Sequence, residues 1–187
     1  MLLHYGVFDI RLGRFDEGLK LLHLAEALFE QLNDLYGQDI CATNESAAAF
    51  YRGDFMAAKV VALRNLKFAQ ALNSQVGLGF AFANLGRAER ELGELPQAIE
   101  HMQAGVAVRR TLGDPGALSV SMSDLVIAHL RSGDLEAARQ TTQEMLALHA
   151  AAAGRMPEPE FRITFLRIPY NGEILAAFER DQWPPTT

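Results

Sequence analysis

Residues 84 to 100 read Asn84-Leu85-Gly86-Arg87-Ala88-Glu89-Arg90-Glu91-Leu92-Gly93-Glu94-Leu95-Pro96-Gln97-Ala98-Ile99-Glu100, and this stretch decides the fold. Around Gly93 it has a large apolar residue two positions on (Leu95), a small one five on (Ala98) and a small one seven before (Gly86). Stepping in 40-residue strides brings the same arrangement back at Gly13, Gly53 and Gly133. The +2 residues are then Phe15, Phe55, Leu95 and Leu135, and the +5 residues are Gly18, Ala58, Ala98 and Ala138. Gly6, Ser46, Gly86 and Val126 stand seven before. Repetition of several offsets at one fixed period is the mark of a repeat architecture.

Each unit reads as two amphipathic helices about the central glycine, which accepts the left-handed backbone that ends a helix. Small residues on both sides of the turn let the two helices approach, and the large residue after it plugs the open end of the hairpin. Pro96 falls in the first turn of its helix, where a missing N–H is tolerated. Leu32-Asn33-Asp34, Leu72-Asn73-Ser74 and Leu112-Gly113-Asp114-Pro115 separate the units as turn and cap residues. Helices are predicted at about 1–12, 16–32, 38–51, 55–72, 78–92, 96–111, 117–131 and 135–152. A lone hairpin buries too little apolar surface to offset the entropy of ordering it, so the units must stack. The fold class is therefore all-α, a right-handed α-α superhelix of antiparallel hairpins, with four repeats at approximately 1–36, 37–76, 77–116 and 117–156.

The asparagine, small residue, turn glycine and post-turn alanine of residues 84–100 resemble the tetratricopeptide repeat (TPR). Gly18, Asn65, Val126 and Met145 depart from that pattern. The 40-residue period and long second helix further resemble the repeats of bacterial LuxR-type and predicted-ATPase signalling regulators. The tail, with Met156-Pro157-Glu158-Pro159-Glu160-Phe161-Arg162 and Pro169-Tyr170-Asn171-Gly172-Glu173-Ile174-Leu175, is similar to the closing segment of such arrays. Residues 157–187 are thus expected to form a shortened fifth hairpin or C-terminal cap. Leu2, Leu3, Val7 and Ile10 make the first helix apolar without a polar cap, as in a chain cut from a larger regulator or one that self-associates.

A formal net charge of -6 argues against phosphate-backbone binding as the main role. Cys41 stands alone, so no disulfide framework or cysteine metal site is expected, in keeping with a cytoplasmic location. No stretch approaches the ~18 uncharged apolar residues of a membrane span. His4, His23, His101, His129 and His149 include no pair three or four apart, which leaves zinc unsupported. Neither a phosphate loop nor a nucleophile elbow occurs, so no catalytic residue, metal or cofactor is expected.

The resemblance implies that first helices line a concave groove for a protein or peptide. Nine residues before the turn glycines lie His4, Asn44, Asn84 and Asp124, a ladder in which asparagine amides can grip a peptide backbone. Arg87 and Arg90, one turn apart, and Phe50 with Tyr51 on the preceding repeat complete the candidate site. The competing reading is that Asn44 and Asn84 bond between helices while the arginines pair with Glu91 or Glu94. The expected function is a peptide-binding scaffold, the regulatory segment of a bacterial signalling or transcriptional regulator. The alternative is a structural module that forms a homodimer.

Overall fold

Among the described residues, the positive-φ positions are Gly13, Asn33, Gly53, Asn73, Gly93, Gly113 and Gly133, one at every twentieth residue. The turn within a hairpin and the turn between hairpins are therefore one device. At Gly13 the N–H donates to Ile10 O (3.0 Å) and the next N–H, of Arg14, reaches Asp9 O (2.9 Å). Asn33 and Asp34 repeat this on Glu30 O (3.0 Å) and Phe29 O (2.8 Å). This is the Schellman pattern, which satisfies the last carbonyls of a helix. Asparagine enters it because its short polar side chain tolerates the left-handed region.

The side chain of the residue after Asn33, Gly53, Asn73, Gly113 and Gly133 then caps the next helix, whereas Arg14, after Gly13, makes no such bond. Asp34 accepts from Gly37 N, Asp54 from Ala57 N, Ser74 from Gly77 N, Asp114 from Ala117 N and Asp134 from Ala137 N, at 3.0 to 3.1 Å. Helices expected from 38, 78 and 117 accordingly begin two or three residues earlier. Among the described residues there is no loop between hairpins, because the left-handed residue and the one that starts the next helix are adjacent.

The computed structural model describes residues 1–154, and the expected fifth hairpin or cap lies outside the described residues. Eight α-helices run through them: α1 (Leu2–Arg11), α2 (Phe15–Gln31), α3 (Leu35–Tyr51), α4 (Phe55–Ala71), α5 (Gln75–Glu91), α6 (Leu95–Leu112), α7 (Pro115–Ser132) and α8 (Leu135–Gly154). Strands do not occur among the described residues. The fold is all-α, built of antiparallel hairpins in the manner of a TPR-like solenoid.

The chain divides into two units, Met1–Leu112 and Gly113–Thr187. The first holds three hairpins, α1/α2, α3/α4 and α5/α6, with α3 packed beside both α1 and α5. The positions seven before and five after the turn meet as the spacing predicts. A Cβ on Gly18 would stand 2.8 Å from Gly6 O, Ser46 Oγ donates to Ala58 O (2.9 Å), and a Cβ on Gly86 would lie 3.1 Å from Ala98 O. Alanines fill the interior, with Ala42, Ala48, Ala58, Ala81, Ala88 and Ala98 fully buried. Phe15 packs on Ile10 and Leu22, and the Phe55 ring lies 5.5 Å from that of Phe50. In the second unit, α7 and α8 bury Leu118, Met122, Leu125, Val126 and Met145. Met145, one of the departures from the repeat, is fully buried and receives the Ser123 hydroxyl at its sulfur (3.2 Å).

Candidate functional site

Within the first unit, one face of each first helix opens on a common groove of about 800 Å³. Leu3, His4, Val7, Phe8 and Arg11 line it from α1, Tyr36, Asp39, Ile40, Thr43 and Asn44 from α3, and Val76, Gly77 and Phe80 from α5. Their spacing by threes and fours puts each set on one side of its helix. The walls are apolar and open: Phe8, Tyr36, Val76 and Phe80 are all exposed. Phe80 is held from behind, with the Arg109 guanidinium 5.0 Å from its ring centroid and Arg109 itself donating to Gly79 O (3.2 Å).

The groove floor is polar. Asp39 is 4% exposed, and the Asn65 side chain, fully buried on α4, donates to Asp39 Oδ1 (2.7 Å) and to Asp39 O (3.1 Å). Two acceptors on one nitrogen fix the orientation of the Asn65 amide and leave its own oxygen buried without a partner. Burial raises the Asp39 carboxyl pKa above its ordinary value, against the lowering effect of the Asn65 bond. Asn65 was a departure from the repeat pattern in sequence, and this pairing is its structural role.

Two further clusters of charge are internally compensated. In a hollow of about 270 Å³ among α2, α3 and α4, Arg64 pairs with Glu26 (3.0 Å) and Glu45, while His23 meets Glu45 (3.1 Å). Burial raises the Glu26 pKa, which Arg64 opposes. Between α4, α5 and α6, buried Glu89 faces His101 Nδ1 (2.7 Å) and Lys59 (3.6 Å), and Lys59 also pairs with Glu94. The Lys59 pKa is raised chiefly by its bond to Glu94. Cys41 is buried, and desolvation pushes its thiol up to about 12, the opposite of an activated nucleophile. Among the described residues, no group of three His, Cys, Asp or Glu could hold a metal ion, and no helix is long and apolar enough to cross a membrane.

The sequence candidates separate. His4 and Asn44 line the groove, with the Asn44 amide donating to Ile40 O of its own helix (2.8 Å). Asn84 is 9% exposed and donates to Thr43 O (3.1 Å), tying α5 to α3. Arg87, half-buried, follows Asn84 by three residues along α5, whereas Arg90 is buried with Nε on Glu91 Oε1 (3.0 Å). Phe50 packs against the core of Ala49, Ala58 and Ala88, and Tyr51 stands exposed with its ring edge-on to it (5.8 Å). Asp124 lies on α7, in the second unit. Tyr36, Asp39, Val76 and Phe80 were not singled out in sequence. A signal was present, since Tyr36 and Val76, like Ile40 and Phe80, recur at the 40-residue stride.

Residues 81–115 match the tetratricopeptide repeat family model. In sequence, no curated protein matches the chain. Among solved structures, BtubC (BKLC) from P. vanneervenii is similar at a TM-score of 0.75 and 19% identity, over 84% of this chain and 65% of that one. The apo form of RapI is similar at 0.74 and 12%, over 88% and 45%. A kinesin light chain-like protein of Podosopora anserina, with nearly identical TPR-like repeats, is similar at 0.70 and 15%, over 97% and 93%. The chain thus spans less than two thirds of BtubC and less than half of RapI, and the likeness is one of fold.

Proposed function

We propose that this TPR-like scaffold is a non-catalytic interaction module, binding a protein or peptide segment in the groove of α1, α3 and α5. We further propose that it serves in the cytoplasm as the regulatory or sensory segment of a bacterial signalling or transcriptional regulator. The observation that carries the binding role is the groove itself: a concave surface of about 800 Å³ that keeps Phe8, Tyr36, Val76 and Phe80 exposed. Aromatic side chains in a concavity are the usual anchors of recognition, and fixing Phe80 under Arg109 lowers the entropy lost on binding. The regulatory role rests on the resemblance of the 40-residue repeats to those of LuxR-type and predicted-ATPase regulators.

Selection of displayed peptides on the immobilised chain, followed by titration of the enriched peptide, tests the groove. Phe80→Ala is expected to weaken binding about tenfold or more with helicity unchanged. Asn44→Ala, Asn84→Ala and Arg87→Ala ask whether the asparagine ladder and its neighbour take part. Unchanged affinity in all four variants discards the groove.

A second reading has its own observation. Met1, Tyr5, Phe8 and Leu12 form an exposed stripe along α1, whereas Ala81, Leu85 and Ala88, which sit 80 residues after Met1, Tyr5 and Phe8, are fully buried on α5. A second copy covering this stripe would make the chain a homodimer. Sedimentation at rising concentration checks it, and a monomer throughout that is unaffected by Tyr5→Lys rejects it.

A further inference from the structure

The floor of the groove carries a charge that the repeat does not need. Forty residues after Asp39 stands Gly79, and forty after Asn65 stands Gly105, so the third hairpin forms the same packing with no side chain at either place. The pair in the second hairpin is costly: a carboxylate 4% exposed, and an amide oxygen buried without a partner. Gly77 keeps the place open, since a Cβ there would come within 2.9 Å of Asp39 Oδ2. Oδ1 is occupied by Asn65, and Oδ2 is the oxygen on the Gly77 side. Among the described lining residues Asp39 is the acid, set beneath apolar walls, with His4 and Arg11 on the α1 side.

We propose that Asp39, oriented by Asn65 and given room by Gly77, is a subsite for a cationic side chain, lysine or arginine, of the peptide segment in the groove. The inference rests on the groove being the binding surface. An ammonium or guanidinium donates to the free side of the carboxylate and supplies the counter-charge that the fold withholds, while the stem of the same side chain lies along Tyr36, Val76 and Phe80. Burial raises the Asp39 pKa and the opposing effect is the Asn65 hydrogen bond, which is the electrostatic counterpart of that arrangement. The specificity that follows is for a basic residue flanked by apolar ones.

The test uses three labelled peptide pools, identical in their apolar flanks and differing only in a central lysine, norleucine or glutamate, titrated against the full chain by fluorescence anisotropy. The lysine pool is expected to bind about tenfold tighter than the norleucine pool, with glutamate weakest. Asp39→Asn, which retains an acceptor for Asn65, should bring lysine and norleucine within about twofold. Gly77→Ala, which leaves the carboxylate in place but crowds it, should reduce the lysine preference as well. Equal binding of lysine and norleucine by the unaltered chain overturns the subsite, as does a preference that survives Asp39→Asn. In either case loss of both pools on Phe80→Ala leaves the groove standing. Binding of no pool overturns the groove and the subsite together.

Discussion

Replacing Gly86 by alanine sets two effects of opposite sign against each other in the middle of α5. Alanine favours a helix interior over glycine by about 1 kcal/mol, so propensity alone predicts stabilisation. A Cβ at this position, however, falls 2.6 Å from Met102 Cγ and 3.1 Å from the carbonyl oxygen of Ala98. The carbonyl belongs to α6 and cannot swing aside, and Met102 is 2% exposed, so its chain can move only within the core. Overpacking of this kind costs about 1–3 kcal/mol. Contact with rigid backbone places Gly86→Ala in the upper part of that range, for a net loss of about 1–2 kcal/mol and a fall in Tm of about 2–8 °C. Met102→Ala alone removes a buried side chain and costs about 2–5 kcal/mol. In the double variant the new methyl occupies space that Met102 vacates, so the two losses should fall short of additive by about 1–2 kcal/mol. Urea unfolding followed by circular dichroism gives the totals, and hydrogen exchange shows whether the loss is confined to α5 and α6. A Gly86→Ala chain as stable as the parent, or strict additivity in the double variant, would refute the close-approach argument.

Asp39 makes stability depend on pH. Its folded pKa is raised, so the folded state holds the proton more tightly than the unfolded one, and stability declines as pH rises from the ordinary value of 3.8 through the folded value. Relative to the parent, Asp39→Asn should therefore gain stability across that window and hold the gain at neutral pH; urea midpoints at several pH values that show a constant gap would contradict this. Cys41, with its thiol near 12 and buried, should resist a thiol reagent in the folded chain and react at the rate of unfolding once urea is added; prompt native labelling would be inconsistent with its placement. Asn73 has φ +50, so Asn73→Gly should be neutral or slightly stabilising while Asn73→Val costs about 1–2 kcal/mol; equal melting curves for the two would remove the shared-turn argument.

The repeat was legible in sequence because its determinants are local or strictly periodic. A left-handed position, a plug two residues on and small residues at fixed offsets recur wherever the hairpin recurs, and Gly13, Gly53, Gly93 and Gly133 announce them. The equivalence of the two kinds of turn was less legible, because Asn33 and Asn73 do the work of glycine and because asparagine also suits caps and loops. Of the candidate site, the asparagine ladder followed from periodicity, but periodicity does not say where an amide points. Asn84 faces the Thr43 carbonyl across a helix pair, a partner 41 residues away.

By itself, then, the amino-acid order determined the hairpins, their 40-residue beat and the set of first helices, since backbone conformation at a turn and helix periodicity depend on neighbours a few residues apart. Only the packing of α3 between α1 and α5 decided which residues of those helices became a groove wall, as with Phe80 backed by Arg109, and which became a floor, as with Asp39. Exposure and desolvation are properties of what lies on the far side of a residue. For Asp39 that neighbour is Asn65, 26 residues on, and no local pattern around either residue marks the pair.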